Sequence, residues 1–166
     1  MVDKSEELKI NLKLLNCGMA SLVEERFIPR DGRNRKILAG LFCVPHKPDF
    51  DRVFFDRRPG NSIEDRLRWC ELPHGSMFCQ LRLMANEQVR GSADDVSNYF
   101  YHLQAPAQAR MRSGFGRLVK GADAVALGGL STGRYHMVCN VWPMGDHNDV
   151  CVAQATHEGI LRSGDC

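Results

Sequence analysis

The chain is 166 residues long, 43% hydrophobic and 25% charged, with a formal net charge of +2. That is the size and composition of one soluble domain with a buried core, and the charge is too small to argue for a polyanionic partner. No apolar run approaches the roughly 20 residues that cross a bilayer, Met1 to Glu7 carry no secretory leader, and the 7 cysteines are scattered without a C-x-x-C pair, which points to reduced thiols in an intracellular protein, cytoplasmic or nuclear.

From Glu6 to Glu25 the residues Leu8, Leu12, Leu15, Met19, Leu22 and Val23 recur at steps of three and four, the period of an amphipathic helix. Pro29 and Gly32 break that pattern in a basic loop holding Arg26, Arg30, Arg33, Arg35 and Lys36. Two short apolar runs, Gly40 to Pro45 and Arg52 to Asp56, flank a polar turn and read as a β-hairpin. The stretch from Pro59 to Gly75 reads as irregular, Phe78 to Leu83 as a short strand, and Ser97 to Gln104 as a helix ended by Pro106. Residues 113–133 are glycine-rich and read as loop. Tyr135, Met137, Cys139 and Val141 alternate as in a half-buried strand, and Asp149 to Leu161 has helical spacing behind a capping Asn148 or Asp149. This order describes an α+β protein, one sheet covered by helices.

A second basic group, Arg52, Arg57, Arg58, Arg66 and Arg68, is diluted by Asp56, Glu64 and Asp65. A solvated charged face explains it as readily as a nucleic-acid surface.

The order of the pieces carries more than any one of them. Phe42-Cys43-Val44-Pro45-His46-Lys47 followed by Asp51 to Asn61, with Arg52, Asp56, Arg58 and Asn61 in register, resembles the fingers hairpin of reverse transcriptases. Ser92 to Tyr101 resembles that family's first palm motif, an aspartate with an aromatic five residues on, matched by Asp95 and Phe100. Trp142-Pro143-Met144-Gly145, then Ala153-Gln154, resembles its L-P-x-G motif and the helix that follows. The sequence departs from the family at Trp142, at Tyr99, and at His147 and Asp149, where small residues are usual. These departures resemble divergent retroelement polymerases.

The resemblance implies the fingers and partial palm of a right-hand polymerase, with an incomplete palm sheet covered by helices, divided into a fingers-like segment 1–75 and a palm-like segment 76–166. It implies an RNA template, a DNA primer and deoxynucleoside triphosphates as partners, with two Mg2+ or Mn2+ ions at the reaction centre. Asp95 is then the catalytic metal ligand and Val96 a backbone carbonyl ligand. Lys47 and Arg52 meet the triphosphate. Phe100 lies under the sugar, where a ring excludes a 2′-hydroxyl. Met144, Gly145 and Gln154 border the template or the incoming pair. The family's paired-aspartate motif is not found before Cys166, so the isolated chain is expected to be inactive, with an open sheet edge.

Each residue has a plainer reading as well. Asp95 caps a helix, Phe100 is a core aromatic, and Lys47 and Arg52 decorate a solvated hairpin tip. Two other functions are open: a non-catalytic nucleic-acid-binding remnant of such a polymerase, and a small metal-dependent hydrolase built on Asp146, His147, Asp149, Cys151 and His157, near His136 and Cys139. The spacing of that last set matches no established zinc pattern. Asp94 is the rival to Asp95, since successive strand residues face opposite sides.

Overall fold

A computed structural model describes residues 3–68, 71–91, 93 and 95–164. Asp94 lies outside the described residues. Helix α1, Lys4–Asn16, starts where the Asp3 carboxylate accepts the Ser5 backbone N–H at 2.8 Å, and Glu6 and Glu7 favour its positive end while Lys13 favours its negative one. The periodic pattern expected to run on to Glu25 is interrupted after Asn16. Gly18 takes φ +76°, the left-handed conformation that glycine adopts without strain, and the chain reverses into strand β1, Ala20–Glu24. Leu22 and Val23 therefore belong to a strand. The helical spacing persists by coincidence across the turn.

Strands β2, Gly40–Lys47, and β3, Phe50–Asp56, form the expected antiparallel hairpin, with Asp49 at φ +67° in the turn. A short helix α2, Arg58–Asn61, follows. Phe78 to Leu83 is no strand: Gly75–Gln80 is a 3-10 turn, and residues 71–91 are exposed throughout. The helix expected from Ser97 to Gln104 is only α3, Tyr99–His102. Its C-terminal neighbours leave it to pair with another strand segment, Gln104 opposite Val141. Helix α4, Ala107–Arg112, follows.

Residues 113–133 are not a loop. They form β4, Gly114–Lys120, and α5, Ala122–Ala126. The glycines mark bends within ordered structure, Gly116 and Gly121 at φ +74° and +61°. Strand β5, Arg134–Cys139, lies at the centre of a three-stranded antiparallel sheet of order β1-β5-β4. Its last four residues are all buried, so the expected half-buried alternation is in fact a strand covered on both faces. Helix α6, Asp149–Ser163, closes the described chain.

The architecture is thus α+β, with two small antiparallel sheets. The division expected near residue 75 runs through the three-stranded sheet, which takes β1 from one side of it and β4 and β5 from the other. The core gathers Ala20, Phe55, Phe115, Val119, Ala124, Met137 and Val141, with Leu8, Leu12 and Leu15 of α1 packed on it. Phe55 meets Phe115 edge to face at 5.3 Å between centroids. Among the described residues, no helix is long and apolar enough to cross a membrane.

Met137, at the middle of the central strand, is 0% exposed. Replacing it with alanine removes buried surface and leaves a cavity, so Met137→Ala should lose about 2–5 kcal/mol of unfolding free energy, read by urea denaturation. A loss of under about 1 kcal/mol would mean the sheet centre is not packed as described.

Candidate functional site

The fold brings the hairpin, the segment around α3 and the turn before α6 to one place. β3 ends with Phe55 buried, Asp56 half-buried and Arg57 buried. This is strand alternation carried one residue past the strand, and it directs the Phe55 and Arg57 side chains inward. The Phe55 backbone N–H donates to the Met144 carbonyl at 3.0 Å, so the hairpin base and the Pro143-Met144-Gly145 turn are joined through the backbone. The Asn61 side chain clamps the turn from both sides, donating to the Gly145 carbonyl at 2.9 Å and accepting the His147 N–H at 3.2 Å. Gly145 has φ +119°, and a Cβ there would collide with the Phe55 carbonyl. Only glycine permits this approach.

Segment 99–105 completes the arrangement. The Tyr101 hydroxyl donates to the Val53 carbonyl of β3 at 2.8 Å, and the Tyr99 hydroxyl to the Ala153 carbonyl of α6 at 3.1 Å. Ala105 donates to Asn140, and Trp142 to Leu103.

The residues singled out from the sequence fall as follows. Met144 and Gly145 form the turn itself. Phe100 is half-buried, its ring 6.3 Å from that of Tyr99. Gln154 is half-buried on α6 and donates to Glu158 at 2.9 Å. Arg52 pairs across the hairpin with Val44 and lies 2.9 Å from the His46 ring nitrogen, and Lys47 is exposed at the hairpin turn. Asp95 is exposed, four residues before α3, and makes no hydrogen bond or ion pair with any described residue. The position before α3 belongs to Asn98, at φ +56°, so helix capping does not account for Asp95. The adjacent Val96 is exposed.

A free carboxylate beside an open backbone segment is the hard-oxygen chemistry magnesium takes, and an ion that keeps several waters needs few protein oxygens. Among the described residues Asp95 would contribute the carboxylate, and no group of three His, Cys, Asp or Glu side chains is arranged around a common point. Several of the residues considered for a hydrolase are engaged elsewhere, while His157 is exposed. Asp146 pairs with Arg57 at 2.8 Å, His147 approaches the Asp65 carbonyl, and Cys151 donates to Leu67.

Arg57 and Glu64 are the members sequence reasoning missed. The Arg57 guanidinium is buried, bonded to the Arg112 carbonyl, to Glu64 at 2.9 Å and to Asp146 at 2.8 Å. Two carboxylates, Glu64 and Asp146, thus pair with one buried cation, and a third, Asp149, is close enough to feel the Asp146 charge. Asp149 accepts the Gly145 and Asp146 backbone N–H groups through one oxygen, while its other oxygen is sealed from solvent without a partner. Burial, and then the neighbouring Asp146 charge, push the Asp149 carboxyl up to about 7.

The basic loop is largely neutralised. Arg26 pairs with Glu24, Arg35 with Asp31, and Lys36 and Arg134 with Glu25, whose carboxyl the hydrogen bonds from Arg134 and Lys36 hold well below its usual range. In the second basic group, Arg58 pairs with Asp56. Arg33, Lys47, Arg52, Arg66 and Arg68 have no carboxylate partner among the described residues.

With this geometry established, the fold proves similar to part of a foamy viral protease-reverse transcriptase solved in complex with double-stranded DNA. The TM-score is 0.57 at 16% identity, over 96% of this chain and 23% of that one. This chain therefore spans about a quarter of the length of the protein it matches. No protein-family model and no curated protein matches the sequence. The likeness is one of fold.

Because the folded Asp149 carboxyl holds its proton to about 7, while an unfolded aspartate loses it near 4, stability should fall as pH rises through that interval and stay lowered above it. Asp149→Asn cannot ionise, so its melting temperature relative to the parent should be about 5 °C more favourable near pH 8 than near pH 5. Thermal melts at the two pH values check this. A difference of the opposite sign would contradict the buried-carboxyl arrangement.

Proposed function

We propose that this chain is a reverse-transcriptase-like module of the right-hand polymerase class, comprising fingers and part of the palm, that engages an RNA template with a DNA primer. The observation supporting it is the meeting of the three resembling segments at one turn: β3 joined to Met144, Tyr101 to Val53, and Tyr99 to α6. Sequence resemblance alone sets their order along the chain and not their contact in space.

In this reading the free Asp95 carboxylate and the Val96 carbonyl hold a divalent cation together with further aspartates of a complete site. Magnesium or manganese, when bound, would supply charge neutralisation at the transferring phosphate. The chain's own residues orient the reactants. Lys47 and Arg52, uncommitted to any carboxylate, hold the triphosphate of an incoming deoxynucleotide. The Phe100 ring sits under its sugar and disfavours a 2′-hydroxyl. The bare backbone at Gly145, with Met144 beside it and Gln154 on the neighbouring helix, lies against the template or the nascent base pair.

Primer extension on an RNA template, with deoxynucleotides and magnesium, tests the reading. It compares the 166-residue chain with a version carrying the coding sequence beyond it, each with and without Asp95→Ala. Extension is expected from the longer version alone, with Asp95→Ala lowering it by at least about a hundredfold. If neither version extends the primer while the chain still shifts labelled nucleic acid, the non-catalytic binding module becomes the better description.

Binding itself should be less salt-dependent than the arginine count suggests. Of the ten residues of both basic groups, Arg33, Arg52, Arg66 and Arg68 lack a carboxylate partner among the described residues, and four contacts give a slope of log affinity against log salt of about −3 to −4, whereas all ten would give about −9. Titration of a primer–template across salt concentrations separates the two values.

A further inference from the structure

A second feature lies between α1, the start of β2 and β4. A cavity of about 320 Å3 opens there, at the lower end of the roughly 300–1,000 Å3 of small-molecule sites. Ile10, Ala39, Leu41 and Phe115 give it apolar walls, and Asn11 gives it one neutral polar group. Asn11 also lines a smaller chamber of about 60 Å3 beside Leu118 and Asp123.

Asn11 is the unusual member. It is the one buried residue of α1, 5% exposed, and its carboxamide makes no hydrogen bond with any described residue. Its polar atoms are not among those sealed from solvent, so they remain reachable from the cavities it lines. Its helix neighbours Leu8, Leu12 and Leu15 are apolar and pack on the core, so Asn11 stands as a polar group on an otherwise apolar inner face, facing outward only through those cavities. The charged groups at the cavity are spent on each other: the Arg117 guanidinium pairs with Glu7 at 3.2 Å, and the Arg117 backbone N–H donates to Glu7 at 2.9 Å. A ligand therefore finds one free donor–acceptor group and no free charge.

We propose that this cavity binds a neutral planar small molecule carrying a hydrogen-bond donor beside an acceptor, a carboxamide or the edge of a heterocyclic base. Its ring lies against Ile10, Leu41 and Phe115, and its polar edge pairs with Asn11, whose amide offers both functions at once. This site does not depend on the polymerase reading.

The test titrates the whole chain with benzamide, with adenine and with toluene, which has the ring without the polar edge. The readout is the 1H–15N shifts of the Asn11 side-chain amide and of the Gly40 and Gly116 backbone. Saturable shifts are expected with benzamide or adenine, the better of the two naming the source, and binding about tenfold weaker for toluene and for Asn11→Leu. Should Asn11→Leu fail to fold, Asn11→Asp serves instead: its carboxylate only accepts, so preference should move from benzamide to the cation benzamidine. No saturable shift from either polar probe, or binding indifferent to both substitutions, overturns the proposal and leaves Asn11 to water.

Discussion

A guanidinium that is 3% exposed draws its partners from the protein, and although the Arg57 Nε is left without one, the partners of its two terminal nitrogens come from three separate stretches of chain. The Arg112 carbonyl ends α4, Glu64 follows α2, and Asp146 belongs to the turn before α6. Removing one partner of such a buried set leaves uncompensated charge, typically about 3–5 kcal/mol. The hairpin, the Gly145 turn and the sheet are therefore held in one relation by a residue that touches all of their supports. Arg57 has no freedom to meet solvent or a ligand.

Around that anchor the groups divide by availability. Those that fix geometry are committed to partners: Arg57, Asp146 and Asn148, which are buried, and the half-buried Asn61 clamp. Asp95 and Lys47, proposed to meet reactants, are exposed. Rigid support beneath exposed groups is the arrangement that the proposed phosphoryl-transfer role would need, since such a site works chiefly by placing charge and reactants. The Asn11 cavity follows the opposite logic, with its one free polar group deep between apolar walls and its charges already paired.

The hairpin, the β5 strand and α6 were legible in the sequence because each is a local pattern: β-rich runs about a polar turn, alternation, and helical period behind a cap. What failed was local pattern overridden by tertiary context. The run from Leu8 to Val23 keeps one period across two element types because Gly18 turns the chain without disturbing the spacing. The glycines of residues 113–133 resemble punctuation, yet Phe115 and Val119 bury fully and make β4 a strand. Of the site, Gly145 and the order of the three segments were readable. Arg57 was not, standing between Asp56 and Arg58 in a charged run where nothing in composition separates the buried arginine from its exposed neighbour. Asp149 was noticed as a departure, but its burial beside Asp146 depends on packing.

The sheet order has a consequence for how the chain is made. β1 is synthesised well before β5, yet the two are neighbours, and the Ser21 hydroxyl reaches Asn140 across 119 residues of sequence. At about 5–20 residues per second on the ribosome, β1 and the leucine face of α1 wait on the order of 10 s before the strand that covers them has been made. Throughout that interval the nascent chain shows an unpaired strand edge and an apolar helix face, so the pace of synthesis ahead of β5 would govern yield more than the stability of the finished fold.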